Sequence, residues 1–476
     1  MGIDYSLLFP EFLAAGLGFA VLVLALLLPA EARRGLNSVT AIGLLIVLGG
    51  TAATWGHQGT LYGGLYIVDN YATLFKVIFL TAAFLVVLGN FRYVDEMGYH
   101  AEYYTLLVFA TLGMMVLASA GDFITFYLGL ELMTISFIVL VALRKFENRS
   151  VEAGIKYVLL AGMSSAVLLY GLSLVYAVTG TVDILEVART VAAGDLTPGL
   201  ILGLVLLLAG LGFKISAVPF HMWAPDIYEG APTPITAYLA AGSKAASFAV
   251  MVRVLLAGLP GLWEHWTMLV AILAAITIVV GNLVAIPQTN IKRMLAYSSI
   301  AQAGYILVGL VTVTEAGVKA VMFYALLYVF ATVGAFTVVS YFSTFTGSDE
   351  IRDMAGLSQR APLLAAVMVA LMLSMAGIPP LAGFVGKLYL FMTVVEDYLW
   401  LVFIGLIMSM VSVYYYLRVT LVMYRDEPVD PTPIPVSNPV AITLIVCLAA
   451  TLLIGIYPGP VSEVTNVAAR TFFWPW

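Results

Sequence analysis

Fourteen apolar runs, most of them near 20 residues or longer, divide this chain of 476 residues. A run of that length spans a bilayer as an α-helix, because each residue adds about 1.5 Å to a hydrocarbon core about 30 Å thick. The chain is 62% hydrophobic and 10% charged, whereas a soluble domain carries about a quarter charged residues. We predict an all-α polytopic membrane protein, one membrane domain over 1–476. The predicted transmembrane helices lie near 6–29, 38–55, 69–91, 102–120, 122–143, 153–179, 197–219, 233–258, 265–287, 293–313, 316–344, 362–393, 397–424 and 437–457.

Basic residues are distributed unevenly among the loops between these runs. Alternate loops hold nearly all of them, namely Arg33, Arg34, Arg92, Arg144, Lys145, Arg149, Lys292, Arg293, Arg352, Arg360 and Arg425. The opposite face holds only Arg189 among its loops, and Arg470 in the C-terminal tail. Because basic loops stay in the cytoplasm, we predict a multi-pass protein of the cell membrane with both termini outside.

Two of the predicted helices contain a break. The seventh runs into FKISAVPFHMWAPD, with Pro219 and Pro225, and the twelfth contains SMAGIPPLAGFVGK, with Pro379 and Pro380. Proline removes a backbone donor and clashes with the preceding turn. Unsatisfied backbone at membrane depth is tolerated only inside protein or beside water. Two broken helices, five apart in order, predict paired five-helix repeats (helices 4–8 and 9–13), as in transporters whose sites lie near the midplane.

Five ionisable residues lie inside or just within apolar runs, namely Glu131, Lys156, Lys214, Lys244 and Lys387. A charge at mid-membrane costs about 2.5–3.5 kcal/mol on insertion scales, so such residues usually face a protein interior or a wet path. Lys214 and Lys387 each lie near a break, and small residues surround Lys244, which permits water entry. We predict that these residues carry protons.

Glu131 is the only acid that the sequence places within a helix interior. It is either an inert counter-ion or the partner that changes the proton affinity of Lys214, because a nearby carboxylate favours a charged amine. Both interpretations need the same contact, so the sequence leaves them open.

Other polar residues have two interpretations each. Lys156 lies four residues after Glu152 and is either half of an i,i+4 ion pair or a relay site. His221 is either a bridge between half-channels or a hydrogen-bonded histidine at a helix end. Helix 10 contains a polar stretch that orders water or bonds neighbouring helices: Tyr297, Ser298, Ser299, Gln302 and Tyr305. The remaining basic residues within runs are expected to snorkel to the membrane surface, namely Lys76, Arg253, Lys319 and Arg418.

Several classes of chemistry are excluded by what the sequence lacks. The single cysteine, Cys447, excludes an internal disulfide and a cluster of thiolate ligands. The four histidines show no metal-ligand spacing, and neither a GxGxxG nor a GxxxxGK[ST] motif occurs. We therefore expect no cofactor and no metal in this chain, and no basic stretch suggests nucleic-acid binding.

Four segments resemble chain N of the proton-pumping NADH:quinone oxidoreductases, or respiratory complex I. They are EAGIKYVLLAGMSSAVLLYG, FKISAVPFHMWAPDIYEGAPTPITAYLAAGSKAASF, NIKRMLAYSSIAQAGYILVGL and LSMAGIPPLAGFVGKLYLF. Sister chains M and L typically read PLHxWLPDAHxxAP where this chain has PFHMWAPDIYEGAP. The similarity covers roughly residues 65–425.

The resemblance implies fourteen helices with two inverted five-helix repeats. It divides the chain into N-terminal helices 1–4 (1–120), an antiporter-like proton-translocating core (121–425), and helix 14 with its tail (430–476). The family's proton-relay residues correspond to Glu131, Lys156, Lys214, Lys244 and Lys387.

The function implied by the resemblance is that of a proton-translocating subunit of a translocase, with no redox chemistry in this chain. Quinone, flavin and iron–sulfur centres are expected in partner subunits. The expected partners are chain M, the small membrane chains, the redox-arm subunits and the lipid bilayer. One alternative is the large subunit of a multisubunit cation/proton antiporter, and another is a passive scaffold within complex I.

Overall fold

The computed structural model describes residues 5–428 and 430–473, so both ends of the predicted domain lie outside the described residues. The described part is a bundle of helices with one short hairpin. Its α-helices are α1 (Phe9–Leu27), α2 (Leu36–Ala53), α3 (Asn70–Gly89), α4 (Phe91–Met97), α5 (His100–Ala118), α6 (Phe123–Val141), α7 (Asn148–Thr179), α8 (Ile184–Ala193), α9 (Pro198–Lys214), α10 (Trp223–Gly230), α11 (Thr233–Tyr238), α12 (Lys244–Val252), α13 (Trp263–Ala285), α14 (Ile291–Val308), α15 (Glu315–Thr346), α16 (Leu357–Arg360), α17 (Pro362–Ala376), α18 (Ala382–Met392), α19 (Leu399–Arg425), α20 (Asn438–Ile456) and α21 (Gly459–Phe472).

Shorter elements join these helices. The strands β1 (Gly59–Leu61) and β2 (Tyr66–Val68) form an antiparallel hairpin in which Thr60 pairs with Ile67. The 3₁₀ segments are Tyr5–Leu8, Ala30–Gly35, Tyr62–Gly64, Pro260–Leu262 and Ile351–Met354.

The prediction of an all-helical membrane protein is confirmed. Eleven helical segments among the described residues are long and apolar enough to cross a membrane, and three shorter apolar helices accompany them, namely Pro198–Lys214, Pro362–Ala376 and Ala382–Met392. The twelfth predicted run covers two of the shorter helices, Pro362–Ala376 and Ala382–Met392, and each of the other thirteen coincides with one of these segments or with α14. Fourteen crossings and the two repeats stay predictions.

Local sequence signals set the ends of the long helices. Asp69 accepts a hydrogen bond from the backbone N–H of Ala72 (2.6 Å) at the start of α3, and Asp122 caps α6 in the same way. These side chains satisfy donors that have no partner within the helix. At the other end of α7, Gly180 adopts the left-handed conformation (φ 72°) that commonly ends a helix at glycine.

Close packing of α5 against α6 positions the acid predicted to be functional. A Cβ at Gly113 would lie 2.6 Å from the backbone nitrogen of Met133, and one at Gly129 would lie 2.8 Å from that of Leu117. Two backbones can approach this closely only where glycine stands at both contacts. The contact fixes the part of α6 that carries Glu131.

Both predicted breaks occur, with earlier helix ends than the apolar runs suggest. Helix α9 stops at Lys214 and α10 resumes at Trp223, while α17 stops at Ala376 and α18 resumes at Ala382. Each gap contains a cis X–Pro peptide bond, Val218–Pro219 in the first and Pro379–Pro380 in the second.

Side chains satisfy the backbone groups that the breaks release. The indole of Trp223 donates to the carbonyl of Phe213 (2.9 Å), and the backbone N–H of Val218 donates to Thr277 (3.0 Å). In the second break the backbone N–H of Gly383 donates to Ser374 (3.0 Å). Irregular backbone is therefore tolerated here because it lies inside protein.

The eighth predicted helix contains two π-helical segments that the sequence analysis did not predict. They are Leu239–Ser243 and Arg253–Gly258, and they flank α12 on both sides. Single π turns inside α-helices are frequent at functional sites. Lys244 is the first residue after the first of them.

Candidate proton-relay site

Lys214 is buried beside the first helix break. Its amine donates to the hydroxyl of Thr134 on α6 (2.9 Å). No ion pair links Lys214 to Glu131 in the described part of the chain, so the direct contact that the sequence suggested is absent from this structure. The partner of this lysine is a neutral oxygen.

Glu131 is half-buried on α6 and accepts a hydrogen bond from the hydroxyl of Ser165 on α7 (2.5 Å). Residues three apart on a helix lie on the same face. Thr134 is three residues after Glu131, so the oxygen that holds Lys214 lies about one helical turn from the carboxylate.

Lys244 is buried between helices at the start of α12. Its amine donates to the backbone carbonyl of Ser299 (2.7 Å) and to the hydroxyl of the same residue (2.5 Å). Ser299 lies on α14, within the polar stretch that the sequence analysis identified.

Lys387 is buried on α18, after the second break. It donates to the carbonyl of Ala376 (3.0 Å) and to the hydroxyl of Ser409 (2.8 Å), and its amine lies 4.3 Å from the centre of the Tyr305 ring. A cavity of about 210 Å³ adjoins the amine, and its lining includes Gly377. The aromatic ring adds a cation–π contact to the two hydrogen bonds.

Helix α14 links the surroundings of Lys244 to those of Lys387 by polar side chains. Ser298 shares a hydrogen bond with the hydroxyl of Tyr416 (2.5 Å). Gln302 accepts from Tyr324 (2.5 Å) and donates to the carbonyl of Met375 (3.0 Å).

Tyr305 continues this series toward the second break. Its hydroxyl is 3.4 Å from the amide of Asn282, which in turn accepts from Tyr415 (3.0 Å). Hydroxyl and amide groups both donate and accept, so such a series can pass a proton or order water along its length.

Lys156 lies at the edge of the bundle rather than in its interior. Its half-exposed side chain forms the predicted pair with Glu152 (2.7 Å) and a second pair with Asp226 (2.9 Å). Arg293 also contacts Asp226 (2.8 Å), and a polar cavity of about 260 Å³ adjoins these residues. The structure thus places Lys156 beside a polar cavity at the edge of the bundle, and its relay role stays a prediction.

His221 is buried in the first break, between Pro219 and α10. Its Nδ1 atom has no hydrogen-bond partner among the residues that the structure describes. The predicted role of His221 as a bridge between half-channels stays a prediction.

Two buried ion pairs were not predicted from the sequence. Lys76 contacts Glu11 on α1 (2.8 Å), and Arg253 contacts Asp69 (2.9 Å). The prediction that Lys76 and Arg253 snorkel is therefore wrong, and Glu131 is not the only acid within a helix. The missed signal was the match between two buried cations and two acids near helix starts.

The other two residues expected to snorkel also contact protein groups. Arg418 donates to the carbonyls of Ile286 (2.7 Å) and Gln288, just after the end of α13. Cations are favourable near a helix C-terminus because its carbonyls are partly negative. Lys319 is half-buried, with its amine 5.5 Å from the centre of the Tyr389 ring.

Comparison with known proteins places this architecture in a class. A family model described as the transmembrane part of NADH:quinone oxidoreductases and Mrp antiporters matches residues 120–412. The chain superposes on a chain of respiratory complex I from Thermus thermophilus with bound aureothin (TM-score 0.83, 33% identity), covering 96% of this chain and 100% of that one. The fold with its lysines at two broken helices is that of the antiporter-like membrane subunits.

The sequence relationship is more specific than the fold. The chain is 65% identical over 473 residues to NADH-quinone oxidoreductase subunit N of Desulforamulus reducens, covering 99% of each. It therefore belongs to the NADH-quinone oxidoreductase subunit N family. A chain of the Mrp complex from Dietzia has the same fold (TM-score 0.85, 98% of each chain covered) at 21% identity.

Proposed function

We propose that this chain is a proton-translocating membrane-arm subunit of an NADH:quinone oxidoreductase of the complex I type. The observation that carries the proposal is that three buried lysines have only uncharged hydrogen-bond partners. Lys214, Lys244 and Lys387 are held by neutral oxygens, and none of them has a carboxylate within ion-pair distance among the described residues. An amine in this setting can release its proton without leaving a carboxylate unpaired.

Glu131 acts as the switch for the first of these lysines. In this structure it is bonded to Ser165 and leaves Lys214 to Thr134. A movement of about one helical turn along α6 exchanges the neutral partner for a charged one. The carboxylate then favours the charged amine, and its withdrawal favours release of the proton.

The proton passes along α14 from Lys244 to Lys387. Along α14, Ser299 bonds the amine of Lys244 and the ring of Tyr305 contacts that of Lys387, and Gln302 between them in sequence supplies a donor and an acceptor. Moving each charge against the membrane potential costs about 2.3 kcal/mol per 100 mV, so an external driver is needed. Redox energy released elsewhere in the assembly supplies it.

Redox cofactors belong to other chains in this proposal. Quinone, flavin and iron–sulfur centres lie in partner subunits, and this chain contacts chain M and the small membrane chains within the membrane arm. The chain lies in the cell membrane with both termini outside, as the bias of basic residues toward alternate loops indicates.

Replacement of Lys214 tests the proposal in the assembled complex. Lys214→Met removes the amine, and Lys214→Arg keeps a charge that does not exchange its proton. Both are expected to lower proton pumping in proteoliposomes by about tenfold or more. Quinone reduction is measured in parallel, and assembly is checked by native gel.

Lys319→Met is the matched control, because this lysine is half-buried at a helix start and lies outside the polar series. It is expected to pump like wild type. Wild-type pumping in both Lys214 variants would contradict the proposal, and wild-type pumping in Lys214→Arg alone would assign Lys214 a static charge.

The rival function is that of a cation/proton antiporter, because the chain shares its fold with a chain of the Mrp complex. The likeness to the Mrp chain at 21% identity concerns the fold, whereas the match to subunit N reaches 65%. Purification of the native assembly separates the two. Iron–sulfur proteins in the assembly support the proposal, and sodium-dependent transport without them supports the antiporter.

A further inference from the structure

Two buried ion pairs lie at the end of the bundle opposite the cavity of Lys156. Asp69 immediately precedes α3, which runs toward the basic loop at Arg92. The helical segment 233–258 begins next to Ala231, whose carbonyl accepts a hydrogen bond from the basic residue Lys292. Arg253 lies in the last turns of this segment, at its other end. Both residues therefore lie far from the basic loops.

These pairs are desolvated and tightly made. The side chains of Arg253 and Asp69 are 2% and 0% exposed, and the guanidinium contacts both carboxylate oxygens (2.9 and 3.2 Å). The side chains of Lys76 and Glu11 are 3% and 8% exposed, and Lys76 also donates to the hydroxyl of Tyr66 (3.0 Å). A buried pair of this kind must keep both partners, because removal of one leaves an uncompensated charge.

The chemistry of the pairs differs from that of the relay lysines. Lys244 and Arg253 belong to the same helical segment, nine residues apart. Lys244 is held by a serine, whereas Arg253 is held by a carboxylate. A guanidinium does not deprotonate in proteins, so Arg253 cannot take part in a relay.

Two aromatic rings lie against the pair formed by Arg253 and Asp69. The guanidinium carbon of Arg253 lies 5.0 Å from the centre of the Tyr71 ring and 5.8 Å from that of Phe472 on α21. The hydroxyl of Tyr71 donates to the carbonyl of Ala249, half-way between Arg253 and Lys244. The pair, the rings and α12 thus form one packed layer.

We propose that Asp69–Arg253, supported by Glu11–Lys76, is an ionic seal that prevents protons at Lys244 from reaching the outside directly along the helical segment 233–258. The guanidinium of Arg253 does not release its proton and contacts both carboxylate oxygens of Asp69, so the buried pair offers a proton no free group to bind. The seal forces protons from Lys244 toward Lys387. This inference rests on the proposed function, because it assigns a direction to the same path.

The test measures passive proton leak in proteoliposomes that contain the assembled complex and no electron donor. Asp69→Asn with Arg253→Gln removes both charges but keeps a residue that caps α3 well. Under an imposed pH gradient, the leak is expected to rise about tenfold over wild type, because the amide side chains that replace the fixed pair can bind water molecules that carry protons. Adding Lys244→Met to this double variant is expected to reduce the leak again, because the leak passes Lys244.

Two controls separate charge from packing. Glu315→Gln with Arg470→Gln removes an exposed ion pair (3.2 Å) at the same end of the molecule and is expected to leave the leak unchanged. Arg253→Lys keeps the charge pair and is expected to remain tight. A double variant that assembles and leaks like wild type would overturn the seal.

Failure of both Arg253 variants to assemble would also overturn the seal, because the pair would then serve folding. Since the leak is measured without turnover, its result is independent of the Lys214 experiment. A leak in the double variant together with normal pumping by Lys214→Met would sink the proposed relay and leave the barrier standing.

Discussion

Lys214 reaches Thr134 and stops about one helical turn short of Glu131. The hydroxyl of Thr134 is therefore the group that holds the amine while the carboxylate is occupied by Ser165. A threonine in the interior of an apolar helix thereby gains a role in the chemistry that its residue type alone would not suggest.

Thr134→Val tests this role with almost no change in volume. Valine cannot accept the hydrogen bond, and a hydrogen bond to a charged group contributes about 1.5–3 kcal/mol. We expect proton pumping to fall by about tenfold while the complex still assembles. Pumping is measured in proteoliposomes during quinone reduction.

Thr134→Ser is the matched control, because it restores the hydroxyl and removes one methyl group. It is expected to pump close to wild type. Equal pumping by the valine and serine variants would show that the hydroxyl does not matter.

Some of the buried charged residues could be predicted from the sequence, and others could not. Lys214, Lys244 and Lys387 stood out because each interrupts an apolar run. The partners of Lys76 and Arg253 did not, since Glu11 and Asp69 lie at helix starts, where acids are ordinary. Sequence gives the depth of a charge within an apolar run, and only the fold brings α1, α3 and the helical segment 233–258 together.

At the scale of single elements, the second break is shaped around Lys387. Gly377 ends α17 in a left-handed conformation (φ 89°), and a Cβ there would lie 3.0 Å from Cδ of Lys387. Glycine adopts this conformation at no steric cost, whereas other residues are strained in it. The break therefore leaves room for the amine as well as turning the chain.

Gly377→Ala should displace the Lys387 side chain and strain the turn. We expect pumping to fall by about tenfold or more, because small misplacements of a reacting group cost this much. The measurement is the ratio of protons pumped to quinone reduced. Since backbone strain also costs stability, the thermal midpoint of the complex is recorded in parallel.

Gly162→Ala provides the comparison, because Gly162 is exposed within α7 and a Cβ there meets nothing within 4 Å. It should leave both pumping and stability near wild type, since alanine favours a helix over glycine. A Gly377→Ala complex that pumps normally would show that the space around Lys387 is not limiting.

The sequence predicted the breaks from their prolines but not the two π-helical segments around α12. A proline predicts a break in any helix, because it lacks a backbone N–H and clashes with the preceding turn. Leu239–Ser243 (LAAGS) contains no proline, and its one glycine does not by itself distinguish a π turn from an α turn. Periodicity in sequence therefore placed the helices, while their internal geometry required tertiary contacts.

At the scale of the whole molecule, the proposed orientation in the membrane can be tested at two exposed loops. Phe146 lies in a basic loop with 87% of its surface exposed, and Asp195 is exposed in a loop of the opposite face. The one native cysteine, Cys447, is fully buried. Because Cys447 is inaccessible, a cysteine introduced elsewhere can be labelled with little background from the native chain.

We expect Asp195→Cys in intact cells to react with a membrane-impermeant maleimide and Phe146→Cys to react only after the membrane is opened. The physical reason is the retention of basic loops in the cytoplasm. The unmodified chain is the control for Cys447. The reverse pattern of labelling would place both termini inside. The cavity beside Lys156 would then lie on the outer side and the proposed seal on the cytoplasmic side.

Helix α21 follows every other described helix along the chain, and its Phe472 covers the pair formed by Arg253 and Asp69. During synthesis, that ring can dock only after the rest of the bundle has entered the bilayer. A nascent chain that stalls before α21, or one trimmed by a protease at its end, would leave Arg253 without this cover. Under the proposed seal, such chains would leak protons, and their removal by quality control would preserve the proton gradient across the membrane.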